Sequence, residues 1–486
     1  MLWLLAVFIA YWALIEVLRI SGKLEKYGKN YGPILLLKTS KGISFIDRIS
    51  KKKLFWKTFA SAGFPLMFFS MVFMMGLLIL ADIIMLVSPP KPSELTSPQA
   101  ALLIPGINPF IPLVWGIIGL AVAIIVHELS HGVLCRAEGI RVKSLGIILA
   151  LFPIGAFVEP EENELLDKKR SKVSKMRVYT AGITGNYLVA FIAFGLFFSM
   201  LPMLNPVVAV VDERGEILGR ALEINGKPVS GDFYSLVREG EWNRLLIENE
   251  TGRHEIEFYG VFGVKIIGLY REGGIFPAEL SGMRAGLVIT EIDGKKIRKI
   301  DDFRELMMMK RAGDEIEVKT YDPVSGNFEK FRLKLVEHDG RAFMGVYLSN
   351  HDCIGGLNFV NTKLLVSALQ EIPSRLSDPV SWLVLISMPF SFQGFAGMEK
   401  LFDNPQYTFW ILNSLYWIAW INFYVALFNC LPAIPLDGGR AFQEAMSALL
   451  RRFERGEEIS ANIVKILTFF VFFSIFMMIA IPNLGL

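Results

Sequence analysis

The chain has 486 residues, 53% of them hydrophobic, and a mean hydropathy of +0.44. This composition excludes a chain that is soluble throughout, so we expect a polytopic α-helical membrane protein with room for one water-soluble insert. The formal net charge is only +3, and the basic residues cluster beside apolar segments. We therefore expect the lipid bilayer, and no nucleic acid, among its partners.

Residues 1–88 predict two transmembrane helices joined by a basic loop. Residues 1–20 are apolar but lack the basic start and the small-residue cleavage site of a signal peptide, so we expect a retained span. Lysine and arginine are concentrated in residues 21–57, which places this loop in the cytoplasm and the N-terminus outside. The second span, about 59–88, returns the chain to the outside.

The third apolar segment starts near Pro112 and carries His127, Glu128 and His131 in its inner half. Histidines four apart share one helix face, so both rings can bind one zinc ion. Glu128 lies about 100° round the helix and can take a proton from water activated by the metal. Two solvated histidines would be the ordinary alternative, but ionisable groups within a membrane cost on the order of 2.5–3.5 kcal/mol each and usually mark function.

Residues 144–160 are apolar but are interrupted by Pro153 and Gly155, so they are too broken to span a membrane. They predict a β-hairpin that enters the helix bundle beside the metal. Its edge could pair with an extended substrate segment. An interfacial loop packed on the helices is the alternative.

The fourth predicted span, about 178–202, runs outwards and ends the first half of the membrane core, residues 89–205. It carries Asn186 near its inner end. A buried asparagine must find a hydrogen-bond partner, so Asn186 either joins two helices or contacts the substrate and its oxyanion.

In residues 206–350, predicted strands alternate with turns and charged residues, which indicates a soluble α+β domain outside the membrane. The domain contains a weak repeat, in which a strand meets an Asn-Gly turn at 225–226 or an Asp-Gly turn at 293–294 and then a short helix signal. The second copy resembles a PDZ domain with a closing strand at 344–346, and the first copy resembles a degenerate one. A PDZ-like tandem would bind a peptide or chain end by strand addition; a steric gate without a ligand is the alternative.

Residues 351–486 form the second half of the membrane core. Residues 380–397 could pass for a span, but if they and 409–435 both crossed, Asp437 would end on the side away from the histidines. We therefore expect 380–397 to be interfacial or re-entrant. Residues 409–435 then run inwards and 460–482 run outwards, which gives six spans with both termini outside.

A catalytic zinc site normally has three protein ligands, and the third candidate is Asp437. The preceding helix is broken by Pro432 and Pro435, and a broken helix in a membrane must face protein or a cavity. An aspartate that merely ends a helix is the alternative reading. The rival third ligands are four glutamates after the histidines: Glu159, Glu161, Glu162 and Glu164.

The motifs together resemble those of the site-2 protease family of intramembrane metalloproteases. HELSHG at 127–132, the N-x-x-P-x-x-P-L-D-G motif at 429–438 and the PDZ-like insert between them carry the resemblance. PGIN at 105–108 and GAFV at 155–158 are similar to the eukaryotic-type branch with extra N-terminal spans. The resemblance covers nearly the whole chain.

The resemblance implies hydrolysis of a peptide bond within the transmembrane helix of a single-span membrane protein, as in regulated intramembrane proteolysis. It implies one zinc ion per chain, held by His127, His131 and Asp437, with Glu128 as the base. It also implies that Asn429 steadies the substrate backbone or the developing oxyanion. The insert is nearly free of cysteine, so the luminal disulfides of the eukaryotic-type branch are not expected.

A membrane metal transporter or sensor without proteolysis is the alternative function. Such a protein would tolerate Glu128→Gln, and it would show repeated halves or acidic relays, neither of which is evident in the sequence. An inactive scaffold acting through its PDZ-like modules is disfavoured because every expected catalytic position is filled. The short, cysteine-poor insert fits a prokaryotic plasma membrane.

Overall fold

The structure is a computed structural model that describes residues 2–21, 28–150, 152–212, 216–229, 233–272 and 274–484. The chain divides into two compact units. The helical unit comprises Met1–Ser199, Pro379–Gly394 and Trp410–Leu486, and the β-rich unit comprises Met200–Asp378 and Phe395–Phe409.

Helices and strands account for most of the described chain. The helices are α1 (Leu2–Ile20), α2 (Ile43–Ile49), α3 (Lys53–Val87), α4 (Leu113–Ala137), α5 (Glu162–Leu165), α6 (Lys172–Met200), α7 (Pro277–Leu280), α8 (Ile300–Met308), α9 (Thr362–Glu371), α10 (Pro379–Ser391), α11 (Gln406–Asn429), α12 (Asp437–Leu449) and α13 (Gly456–Leu484). The strands are β1 (Gly28–Tyr31), β2 (Ile34–Thr39), β3 (Val142–Ala150), β4 (Phe152–Pro160), β5 (Val208–Val211), β6 (Ile217–Ile224), β7 (Lys227–Pro228), β8 (Trp242–Asn249), β9 (Gly252–Tyr259), β10 (Phe262–Leu269), β11 (Val288–Ile292), β12 (Lys295–Lys296), β13 (Glu315–Tyr321), β14 (Phe328–Lys334), β15 (Val336–His338), β16 (Arg341–Phe343), β17 (Val346–Leu348), β18 (Asp352–Ile354) and β19 (Leu357–Asn361).

Within the described residues, five helices are long and apolar enough to cross a membrane: α3, α4, α6, α11 and α13. The shortest, α11, has 24 residues, or about 36 Å against a hydrocarbon core of about 30 Å. These helices lie at five of the six predicted spans, as expected for a polytopic helical membrane protein. The sixth predicted span, residues 1–20, is helical as α1, but the side chains of residues 1–8 lie outside the described part of the chain.

Helix α10 is the apolar segment for which an interfacial or re-entrant position is predicted. It has 13 residues, about 20 Å, which is too short to cross the hydrocarbon core as one helix. Two side chains of α11 bind the backbone of α10 and of the residues that follow it. The Tyr424 hydroxyl donates to the carbonyl of Ile386 (2.5 Å), and the Trp417 indole donates to the carbonyl of Gln393 (3.1 Å). The side of the membrane on which α10 lies stays a prediction.

Strands β3 and β4 confirm the β-hairpin predicted at 144–160, with Leu145 opposite Val158 and Ile147 opposite Ala156. The hairpin belongs to a four-stranded sheet in the order β1-β2-β3-β4, since β2 pairs with β3. Strands β1 and β2 come from the segment that the sequence analysis treated only as a basic loop. Strand β4 is one of the two edge strands of this sheet.

The β-rich unit contains one extended antiparallel sheet in the order β14-β13-β11-β10-β18-β19-β5-β6-β8-β9. On either side of the β18–β19 hairpin, four strands pair in chain order: β5-β6-β8-β9 on one side and β10-β11-β13-β14 on the other. The strand order therefore repeats, while the PDZ-like tandem stays a prediction. Both predicted turns have two successive residues with positive φ, at Asn225-Gly226 (53° and 71°) and Asp293-Gly294 (50° and 78°). That is the signature of type I′ hairpin turns.

Candidate metal centre

Helix α4 presents its two histidines on one face, as their spacing predicts. The Nε2 atoms of His127 and His131 are 3.2 Å apart. A hydrogen bond at the other ring nitrogen orients His131, because its Nδ1 donates to the backbone carbonyl of Val178 at 2.7 Å. This bond places the ring proton on Nδ1 and leaves the lone pair of Nε2 free for a metal.

Asp437 reaches the same point from the far end of the sequence. Helix α11 ends at Asn429, earlier than the predicted 435, because Pro432 and Pro435 lack the N–H groups that would continue it. Helix α12 then begins at Asp437 itself. Its Oδ2 lies 2.9 Å from His127 Nε2 and 3.0 Å from His131 Nε2.

These three donor atoms fit a zinc ion. Donors about 2.0–2.2 Å from a tetrahedral zinc are about 3.3–3.5 Å from one another, close to the 2.9–3.2 Å found here. Two imidazoles and one carboxylate leave a fourth position open, as in catalytic zinc sites. His127, His131 and Asp437 form the one group of metal-ligand type found among the described residues.

The rival third ligands are turned to other partners. Two neighbours, the ammonium of Lys38 and the hydroxyl of Ser144, hold the pKa of Glu159 below its ordinary value, so its carboxylate stays charged and paired. None of the four glutamates lines the cavity at the metal centre, as far as the described residues show. Three have cationic partners: Glu159 pairs with Lys38 (2.7 Å), Glu161 with Lys143 (3.0 Å) and Glu164 with Arg141 (2.5 Å).

A cavity of about 320 Å³ opens beside the three donor atoms. Glu128 lines it, half-buried, and its Oε2 accepts the backbone N–H of Val158 at 3.0 Å. Because Val158 lies in β4, an edge strand of the four-stranded sheet, this bond fixes the carboxylate of Glu128 against the hairpin. A carboxylate, a set of metal donors and a strand edge thus share one cavity.

The structure brings Asn429 to this cavity but not Asn186. Asn429 lines the cavity at the end of α11, where its Nδ2 donates to the carbonyl of Val425 at 3.0 Å. Asn186 is fully buried on α6, and its Nδ2 donates to the carbonyl of Ala123 on α4 at 3.3 Å. Its described contact is therefore with the helix that carries the histidines.

Helix α6 can approach the histidines only because small residues face them. A Cβ atom at Gly182 would lie 2.6 Å from His127 Cε1 and 2.6 Å from His131 Nε2. One turn further on, a Cβ atom at Gly185 would lie 2.3 Å from Ser130 Oγ. Gly182 and Gly185 near the inner end of this span predict close helix contact, but the sequence does not show that the contact is with the metal-binding histidines.

Two further cavity residues were not identified from the sequence. Tyr179 follows Val178, the residue whose carbonyl orients His131, and Arg440 lies three residues after Asp437 in the first turn of α12. The i to i+3 spacing from Asp437 would have placed Arg440 on the same face, but that inference requires knowing that α12 begins at Asp437.

Comparison with known proteins identifies the family of this chain. The model of Peptidase family M50 matches residues 115–474, which include all three metal donors and Glu128. An uncharacterized protein of Methanocaldococcus jannaschii is 26% identical over 455 residues, 93% of this chain and 88% of the relative.

Two relatives carry provisional names as zinc metalloproteases. The one from Clostridium perfringens is 20% identical over 377 residues, 70% of this chain and 89% of the relative. The one from Borreliella burgdorferi is 24% identical over 438 residues, 75% of this chain and 96% of the relative. Since the family match covers more than half of the sequence, the chain belongs to Peptidase family M50, the site-2 protease family of membrane zinc metalloproteases.

Proposed function

We propose that this chain is an intramembrane zinc endopeptidase that cuts a peptide bond within the transmembrane helix of a single-span membrane protein. The observation that carries the proposal is the convergence of three donor atoms beside Glu128. The Nε2 atoms of His127 and His131 and the Oδ2 atom of Asp437 lie within 3.2 Å of one another. Helix α4, which bears the histidines, is long and apolar enough to cross a membrane. Membership of the family supports both the metal and the peptidase activity.

A zinc ion held by these three residues supplies a Lewis acid that polarises the scissile carbonyl and acidifies water. Glu128 is positioned for general base catalysis, because the Val158 N–H fixes one of its carboxylate oxygens in the cavity wall. Its carboxylate takes a proton from the water that attacks the carbonyl carbon. It returns that proton to the leaving nitrogen as the C–N bond breaks, so the products are one carboxylic acid and one amine.

Asn429 is proposed to steady the substrate carbonyl as negative charge develops on its oxygen. Its amide has two N–H donors, and only one of them is bound to Val425. A preorganised donor of this kind contributes about 2.7–4 kcal/mol to transition-state stabilisation. Asn186 holds the backbone of α4 one turn before His127, so we propose that it acts through the position of that helix.

The edge of β4 is proposed to receive the unwound part of the substrate. A hydrogen-bonded helix hides its carbonyl carbons, so a substrate helix must open before it is cut. Val158 and Pro160 of β4 line the cavity, and edge strands commonly bind extended peptides by strand addition. Pairing with β4 would hold the substrate backbone extended beside Glu128.

The β-rich unit is proposed to be the PDZ-like tandem. Its mirrored strand order and paired type I′ turns support two related modules. We propose that it faces the extracytoplasmic side of a prokaryotic plasma membrane, where it binds a peptide or chain end or excludes large substrates. The zinc centre would lie towards the cytoplasmic side, because the predicted topology places the inner half of α4 there. Such a cut would suit regulated intramembrane proteolysis.

The test is cleavage of a model single-span substrate by purified wild type and by Glu128→Gln, with bound zinc measured in each. Both proteins should hold about one zinc, and only wild type should cut, because Glu128 supplies a proton acceptor and no metal bond. Glu161→Gln, which removes a carboxylate outside the cavity, should cut as wild type does. If both bind zinc and neither cuts any of a panel of helix-destabilised substrates, a metal-binding protein without proteolysis is the better assignment.

A further inference from the structure

Arg440 places a cation in the cavity of the metal centre. It lies in the first turn of α12 and lines the same cavity as Glu128 and Asp437. Its guanidinium carbon is 5.9 Å from the centroid of the Tyr179 ring, within the range of a cation–π contact. Among the described lining residues, no other lysine or arginine is present.

The structure leaves this guanidinium without a carboxylate in the described part of the chain. Its natural partner on the same helix face is Glu444, four residues further on. Glu444 instead forms ion pairs with α6, because its carboxylate oxygens lie 3.2 Å from Lys172 Nζ and 3.8 Å from Lys175 Nζ. The donors of Arg440 are therefore available to a group that enters the cavity.

We propose that Arg440 binds a carboxylate of the peptide in the cavity; this inference rests on the proposed function. A zinc ion would offset the two carboxylates of the cavity, those of Glu128 and Asp437, so Arg440 would give the loaded cavity a net positive charge that attracts a carboxylate. A planar guanidinium binds a carboxylate through two parallel hydrogen bonds, which a lysine cannot reproduce.

Two sources could supply this carboxylate. Hydrolysis creates a new C-terminal carboxylate beside the metal at every turnover, whatever the substrate sequence. An acidic side chain near the scissile bond is the other source, and it would make Arg440 a specificity-determining residue. Both offer the same chemistry, so the binding experiment must separate them.

The experiment uses the full-length, zinc-loaded Glu128→Gln protein, in which peptides persist, and measures peptide binding by fluorescence anisotropy. One pair of peptides differs only in a free C-terminal carboxylate against a carboxamide. A second pair, both with carboxamide ends, differs only in one internal Asp against Asn. Zinc is measured in every sample, and only samples with equal zinc content are compared. The metal's own binding of carboxylates then contributes equally to every sample.

With Arg440 present, at least one carboxylate peptide should bind about tenfold more tightly than its neutral partner, as expected for a charge-assisted bond. Adding Arg440→Gln should reduce that ratio to about threefold or less, while Arg440→Lys should keep an intermediate ratio. Arg451→Gln, which removes an exposed cation outside the cavity, should leave the ratio unchanged. The pair that shows the effect identifies the source of the carboxylate.

A ratio that survives Arg440→Gln, or no preference for either carboxylate with Arg440 present, would overturn the proposal. Because no cleavage is needed, this failure is distinct from failure of the proposed function. If the wild-type protein cuts no substrate but the Arg440-dependent preference for carboxylate peptides persists, only the peptidase assignment fails.

Discussion

Gly182 is the residue at which the helix packing and the metal centre meet. Gly182→Ala should displace one imidazole, since the added Cβ would lie 2.6 Å from atoms of both histidines. We expect zinc affinity to fall by about 10–100-fold, as when the groups that orient metal ligands are removed. Chelator competition on the purified protein measures this affinity.

Gly195→Ala on the same helix is the matched control, because a Cβ there meets nothing within 4 Å. It should bind zinc as wild type does. Equal zinc affinity in the two variants would contradict the close packing of α6 on the histidines.

The metal ligands could be proposed from the sequence, but the residues around them could not. His127 and His131 are recognisable because four residues make one helical turn. Asp437 lies 306 residues from His131, and it was identified from the proline-broken helix and the family motif. Arg440 and Tyr179 depend on which faces of α12 and α6 point into the cavity, and the apolar sequence around them carries no such signal.

At the scale of the element, the sheet of β1 to β4 should position Glu128. A Cβ at Gly146 in β3 would lie 2.1 Å from the Phe157 ring and 2.5 Å from the backbone oxygen of Leu37 on β2. Gly146→Ala should therefore shift β4 and the Val158 N–H that holds Glu128. We expect the cleavage rate to fall about tenfold or more, since small misplacements are costly in catalysis.

Bound zinc should be unchanged in Gly146→Ala, because the metal donors lie on helices. Gly155→Ala in the same hairpin is the control, since its nearest neighbour, Ile148 Cδ1, would be 3.4 Å away. A zinc loss that accompanies the loss of cleavage would contradict a role limited to Glu128.

Glu138, directly after α4, links three helices through ion pairs and a hydrogen bond. Its carboxylate, 5% exposed, lies 3.2 Å from Lys57 Nζ of α3 and 3.1 Å from Arg177 of α6, and it accepts the Ser174 hydroxyl at 2.9 Å. Glu138→Gln should destabilise the helical unit by about 1–3 kcal/mol, because it leaves two partly exposed cations without their carboxylate partner. Thermal unfolding in detergent measures the loss.

Glu457→Gln provides the contrast. Glu457 also pairs with a lysine, Lys172 at 3.0 Å, but its side chain is 71% exposed, and exposed pairs contribute only about 0–1 kcal/mol. Similar losses in the two variants would show that the burial of Glu138 has no energetic consequence.

The elements illustrate which structure a local pattern can predict. The β3–β4 hairpin was foreseen because its two strands and the break between them are adjacent in sequence. Strands β1 and β2 were missed because β2 pairs with a strand more than a hundred residues away, while the lysines of residues 21–57 predict a cytoplasmic loop. In the same way, the turns at 225–226 and 293–294 were predicted, whereas the β18–β19 hairpin that joins both copies into one sheet was not.

At the scale of the whole molecule, the predicted topology places Asp403 outside and Arg452 in the cytoplasm. Both residues are exposed, and the three native cysteines are buried, so a single introduced cysteine would dominate labelling. In intact cells, Asp403→Cys should react with a membrane-impermeant maleimide. Arg452→Cys should react only after the membrane is opened. Labelling of Arg452→Cys alone would mean that α10 crosses the membrane or that the orientation is reversed. Labelling of both variants would mean that α11 does not separate the two residues.

The central claim is that the His127–His131–Asp437 centre cuts a bond inside a membrane-spanning helix. The most direct measurement is the mass of both fragments that the zinc-loaded wild-type protein releases from a single-span substrate in lipid vesicles. The account predicts two complementary masses that place the cut within the apolar segment, and their absence after zinc removal or with Glu128→Gln. A cut confined to the flanking polar residues, or one that persists without zinc, would contradict it.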